Sequence, residues 1–418
     1  MRTLIRIVFL IFIANEIDCL GRVCDDCCDC FKEKKEGDIG GVGGEEKKED
    51  EKKEEDKEEE ENITAESLVN KDWHDHKENL VLMIFKKEDD NGIFTSEDNG
   101  DKISIKLDEN NKLKITGKNE AGDPLKLGGE KYALFEIKTQ EEGNTVYLYC
   151  SDIESSAYND GAFYLTNHVS ISVIACDTKK VTDMNSMFSG CNSLKNLDIS
   201  NFDTTNVKNM NNMFFECAKL GKLDLKNFNI TNVTDMGDMF GNCKNLITLE
   251  FWENSNTINV KNMENMFYVC RSLRELDLSN FNTTNVTNMS YMFFMCNSLT
   301  KLDLNNFNTT NVMNMAYMFF MCSGLTELKF GDNFNTTNVT NMHSMFKGCS
   351  SLENLEFGDN FNTAKVTDMY GMFKGCSSLE NLKFGKNFNT SNVKNKQYMF
   401  DGCSLSQKTQ NEILGINE

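Results

Sequence analysis

Nine valines recur from residue 181 onward at intervals of 26 or 27 residues: Val181, Val207, Val233, Val260, Val286, Val312, Val339, Val366 and Val393. Counted from each valine, a methionine stands at +3 in all but the last unit, a Met-Phe pair at +6 and +7, and a cysteine at +10. Leucines follow at +13 and +16 in the first eight units. A fixed register over nine copies restricts the chain to a solenoid. One unit is too small to bury its own apolar face and gains stability only when neighbours stack on it. Taken alone, FNTTNVTNMSYMFFMC (281–296) looks like a site for a soft metal. Repeated nine times it reads as a core, because methionine, phenylalanine and cysteine are what such a stack has to bury.

The offsets 0, 3, 6–7 and 10 share one face of a short helix. Asp or Asn at +2, as in Asp183, Asn288 and Asp368, suits its cap. Gly190, Gly348, Gly375 and Gly402, each just before a cysteine, suit its exit. The pattern then changes to period two in LTKLDL (299–304), with Leu302 and Leu304 inward and Asp303 outward, which predicts a strand. FNTTN turns the chain back for the next lap. The expected fold is therefore an α/β repeat, a solenoid of nine units with a short helix and a parallel strand in each, the strands running as one parallel sheet. Equivalent cysteines in such a stack point in parallel, so the ladder predicts buried free thiols. Cys150 and Cys176 stand outside the ladder and are candidates to pair with each other.

The phrase M-F-x-x-C-x-x-L-x-x-L, as in MFSGCNSLKNL (187–197), resembles the BspA-like leucine-rich-repeat family of microbial surface proteins over about residues 165–418. The resemblance implies a curved leucine-rich-repeat solenoid that is exported, displayed on the cell surface or secreted, and engaged in adhesion to host proteins and cells. It brings no catalytic residues.

Ahead of the repeats the chain changes character three times. Residues 1–20 join Arg2 and Arg6 to an apolar run and read as a secretory signal peptide. The run is too short to span a bilayer, and no later stretch is apolar enough to do so. Residues 21–67 hold CDDCCDC (24–30) and the run EEKKEDEKKEEDKEEEE (45–61), which cannot bury a core and predicts a disordered acidic linker. In an exported chain Cys24, Cys27, Cys28 and Cys30 point to disulfides, including cross-links between chains that would build a homo-oligomer. Residues 68–163, with KISIKL (102–107), YALFEIK (132–138) and TVYLYC (145–150), predict a small β-rich domain. VSISVIACDTKK (169–180) reads as a strand and turn that shields the first lap, leaving the solenoid at 164–418.

A net charge of −21 argues against nucleic acid and anionic lipid as partners and favours a basic protein. The outward strand column at +17 begins Asp198, Asp224, Glu250, Asp277, Asp303, an acidic stripe suited to such a partner. Trp252 interrupts the third unit, as a local packing variant or as a further candidate contact. Four histidines (His74, His76, His168, His343) and the absence of G-x-S-x-G, H-E-x-x-H or P-loop patterns predict neither an enzyme nor a cofactor or metal site. The expected protein is a secreted or surface-displayed binding scaffold. The alternative is a self-assembling coat or envelope component cross-linked through the N-terminal cysteines.

Overall fold

The segment from each valine to its cysteine is not helical. In the computed structural model, which describes the strands between residues 82 and 151 and residues 168–416 apart from 254 and 255, these segments are runs of consecutive turns. Two residues per lap, at +5 and +9, adopt left-handed backbone: Ser186 and Gly190 in the first lap, Tyr291 and Met295 in the fifth, Tyr398 and Gly402 in the ninth. A right-handed helix has no place for them. The reason for the departure is pitch. The +7 phenylalanines of neighbouring laps, Phe188 through Phe400, stack with ring centroids 5.2–5.8 Å apart. Packed helices need about 8–10 Å between axes. A flat ribbon of turns fits the shorter repeat.

The ribbon also redirects its hydrogen bonds. In the first lap the N–H groups of Met184, Ser186, Phe188 and Gly190 donate to the carbonyls of Asn209, Asn211, Met213 and Phe215 in the second, at 2.8–2.9 Å. The intervening Met187, Ser189 and Cys191 donate back to Met184, Ser186 and Phe188 within the lap. Odd and even positions thus bond in different directions, and every lap repeats the scheme. One parallel bridge per junction joins the +2 residues without interruption from Asp183 to Asn395. In the first eight laps the +2 Asp or Asn accepts the N–H two residues on, for example Asn185 N to Asp183 Oδ1 at 3.0 Å.

On the opposite side the strands are short. Following β1 (Leu82–Lys87), β2 (Ile93–Ser96), β3 (Lys102–Leu107), β4 (Leu113–Lys118), β5 (Tyr132–Thr139), β6 (Thr145–Ser151) and β7 (His168–Asp177), the repeats contribute β8 (Asn196–Asp198), β9 (Lys222–Asp224), β10 (Thr248–Glu250), β11 (Lys301–Leu304), β12 (Glu327–Phe330), β13 (Asn354–Glu356) and β14 (Asn381–Lys383). The continuous parallel sheet expected from the repeat is replaced by pairs, β9 with β10, β11 with β12 and β13 with β14. The offsets from 0 to +16 are constant in the first eight units, so the extra residue of a 27-residue lap falls beyond the strand leucine. Register slack gathers on the strand and loop side, while the ribbon stays in step.

The first seven strands join the solenoid through one sheet ordered β4-β3-β2-β1-β6-β5-β7-β8. β7 is antiparallel to β5 and parallel to β8, with Ile171 opposite Leu197. It therefore occupies the strand position of a lap preceding the first. At the other end α1 (Gln407–Leu414) follows the ninth cysteine, N-capped by Ser406, whose side chain accepts from Thr409 N. Ile413 and Leu414 of α1 pack, partly buried, against the core.

Threonine at −3 forms a second internal spine. Thr257, Thr283, Thr309, Thr336 and Thr363 are fully buried. Thr283 Oγ1 donates to the Asn308 carbonyl at 2.9 Å and accepts from Asn308 N at 2.9 Å, so one hydroxyl satisfies both backbone groups of the next lap.

The ribbon makes a prediction of opposite sign to a helix. Gly375 has φ +73 and its added Cβ would meet nothing closer than 3.7 Å. In a helix Gly375→Ala would stabilise by about 1 kcal/mol. Here it should destabilise by about 1–2 kcal/mol, read as a lower denaturation midpoint.

Candidate functional site

The +10 cysteines have a structural task. Cys217, Cys243, Cys270, Cys296, Cys322, Cys349 and Cys376 each donate from Sγ to the +7 phenylalanine carbonyl of the preceding lap at 3.0–3.2 Å. All are buried and free. Cys150 and Cys176 do not pair. Both lie opposite Ala133 on either side of β5, so two strand spacings of about 4.8 Å separate them, beyond disulfide reach. Cys176 instead donates to the Asn201 carbonyl at 3.1 Å. Cys24, Cys27, Cys28, Cys30 and the acidic linker lie outside the described residues.

Burial pushes the Cys243 and Cys322 thiols up to about 12 from an ordinary 9.0. The folded state keeps them neutral where the unfolded chain ionises them. Their contribution to stability is thus complete below pH 9 and is lost as pH rises from 9 toward 12. Denaturation curves should show stability falling by about 1.4 kcal/mol per pH unit for each such thiol above pH 9, and thiol reagents should label the ladder only after unfolding.

The strand column carries the acids as the sequence analysis placed them. Asp198, Asp224, Asp277 and Asp303 are exposed. Each uses Oδ1 to accept the N–H two residues on, from Ser200, Lys226, Ser279 and Asn305 at 2.9–3.1 Å. These turns hold the carboxylates in file. The bonds from the Ser279 N–H and hydroxyl keep Asp277 below the usual carboxylate range. None of the four is within ion-pair distance of a cation among the described residues. Glu250 differs: Lys226 and Lys222 approach it at 3.2 and 3.4 Å, and Lys226 above all holds its pKa down. Beyond the fifth lap the column alternates in sign, as Lys329, Glu356 and Lys383. Lys329 pairs with Glu327 at 2.6 Å, and Lys301 reaches the same carboxylate at 3.2 Å.

Trp252 leaves the list of contact residues. It is fully buried, its ring 4.9 Å from Phe251 and 5.4 Å from Phe281. It fills the core directly after β10 in the third lap, against Phe281 of the fourth, a lap that forms no strand.

An aromatic band on the outer face of the ribbon escaped the sequence analysis. Phe293 of the Phe-Phe pair belongs to the core, whereas Phe294 turns outward at +8. Tyr268, Phe294 and Phe320 stack at 4.9 and 4.6 Å. Tyr291 lies 4.7 Å from Tyr317. His343 sits between Tyr317 and Tyr370, 4.9 Å from each, with Nδ1 3.2 Å from Asp368 Oδ2. Tyr291, Phe294 and Tyr317 keep partial exposure in this band, whereas Tyr268 and Phe320 are buried. The available signal was aromatic residues at +4, +5 and +8 in consecutive laps; a helical reading scattered them around an axis.

The repeat is what known proteins share with this chain. The family model described as "Mycoplasma protein of unknown function, DUF285" matches three times, over residues 159–256, 247–329 and 320–412. The matches span more than half of the chain, and the chain belongs to this family. The phrase that carried the resemblance to BspA-like leucine-rich-repeat proteins lies within each matched segment. Among solved structures, a leucine rich cell surface protein from Faecalibacterium prausnitzii A2-165 is 15% identical, with 79% of this chain and 100% of that chain covered and a TM-score of 0.22. No curated protein matches. No helix among the described residues is long and apolar enough to cross a membrane.

Proposed function

We propose that the chain is a non-enzymatic scaffold, secreted or displayed at the cell surface, that binds a basic protein partner through the strand face of its first five laps. The observation that carries this reading is the file Asp198, Asp224, Asp277 and Asp303. These carboxylates are exposed, oriented by their own turns and in no ion pair among the described residues, whereas Glu250 and Glu327 are held by lysines. Fixed charges of one sign on a rigid face steer a partner of the other sign and set its register. The basic and apolar start of the chain supports export, and the resemblance to BspA-like proteins supports adhesion as the purpose of the surface.

The test keeps the turns and removes the charge. Asparagine retains the Oδ1 acceptor, so Asp224→Asn, Asp277→Asn and Asp303→Asn together should leave stability unchanged. Binding of the purified chain to a cell-surface protein preparation should weaken on the order of tenfold and lose its salt dependence. Binding that is unaltered by the triple substitution would discard this face.

A further inference from the structure

The β3–β4 hairpin gathers positive charge in a chain whose net charge is −21. From Lys102 to Lys118 five lysines stand against two acids, Asp108 and Glu109. In the ladder Lys102 is opposite Lys118 and Lys106 is opposite Lys114, with Ser104 opposite Thr116 between them. Alternate residues of a strand share a face, so the four lysines share one. Like charges directly opposite one another cost stability, and this hairpin holds two such pairs. The members of a pair are one strand spacing apart, ~4.8 Å, and the two pairs are four residues apart along the strands, ~14 Å. The acidic file has matching intervals. Glu250, held by Lys226 and Lys222, divides it into Asp198 with Asp224 and Asp277 with Asp303. Members of each acidic pair come from adjacent laps, ~4.8 Å apart, and the pair centres are three laps apart, ~14 Å.

We propose that the lysine face of the β3–β4 hairpin is an interaction surface for the acidic file of a second copy of this chain. The inference rests on the reading of that file as a binding surface and names a partner for it. With the hairpin laid so that its strands run along the solenoid axis, one lysine pair meets Asp198 and Asp224 and the other meets Asp277 and Asp303. Ser104 and Thr116 then meet the third lap, so the uncharged centre of the hairpin falls where the file offers no unpaired carboxylate. A chain's own hairpin does not reach its own file. The strand order places β3 six spacings from β8, ~29 Å along the sheet. Because the contact joins two different surfaces, each docked copy leaves one of each kind unused, and copies add in series.

The full-length chain, kept reduced to remove any cysteine cross-links, is followed by sedimentation velocity at low salt up to ~1 mM, a concentration that detects weak association. The expected result is a concentration-dependent series of oligomers that returns to monomer at high salt, since opposite charges hold the contact. Lys106→Glu with Lys114→Glu in one variant, and Asp224→Asn with Asp277→Asn and Asp303→Asn in another, should each raise the association midpoint by about tenfold or more. Mixed together, the two variants should form a one-to-one complex and nothing larger, because the first keeps its carboxylates and the second its lysines. That complex also shows both variants to be folded. A wild-type chain that stays monomeric, oligomers unaltered by either set of substitutions, or a mixture that forms no complex would overturn the proposal. A monomeric wild type whose binding to the cell-surface preparation still weakens with the triple substitution removes this contact alone and leaves the acidic file as a surface for a different protein.

Discussion

Backbone hydrogen bonds between laps of the turn ribbon are the constraint on which the remainder of this molecule depends. They set the pitch at which phenylalanine rings stack, which fixes how much room methionine has between them. They place each cysteine thiol beneath a carbonyl of the preceding lap. They also require left-handed backbone twice per lap, and the chain accepts that conformation even at Val269, a β-branched residue with φ 58. A conformation unfavourable in isolation by about 1–2 kcal/mol persists because four inter-lap bonds at each junction depend on it.

The core is consequently made of columns. Phenylalanine stacks on phenylalanine in offset parallel fashion, threonine links to backbone, and cysteine caps a carbonyl. Sulfur-rich composition, which in a single-copy protein would suggest redox or metal chemistry, here serves packing. The thiols are desolvated and far from ionisation at neutral pH, so the chemistry that makes cysteine reactive is withdrawn from them. Outside the columns lie an exposed acidic strand face and a partly exposed aromatic ribbon face.

Much of this was legible in residue spacing. The valine period announced the solenoid, the +3, +7 and +10 columns announced its core, and the period-two alternation around Asp303 placed the acidic file outside. The helix was misread because spacings of three and four residues suit consecutive turns as well as an α-helix. Residues at +5 and +9 held the distinguishing signal: Gly190, Asn212, Asp238, Asn242 and Gly348 are types that tolerate left-handed backbone. Tyrosine, methionine and valine at the same positions in the middle laps masked it. Trp252 stood between two readings for a related reason, since a residue that breaks a repeat can be a surface feature or a local filler, and only burial separates the two.

Sequence by itself determined that the chain repeats, which side chains face inward, and where the acids stand, because a stack of equivalent laps permits only one face to be apolar. Tertiary structure alone decided that the inner segment is a ribbon of turns and that the strands pair in short pieces. Those outcomes depend on the distance between laps, a quantity that no single lap contains.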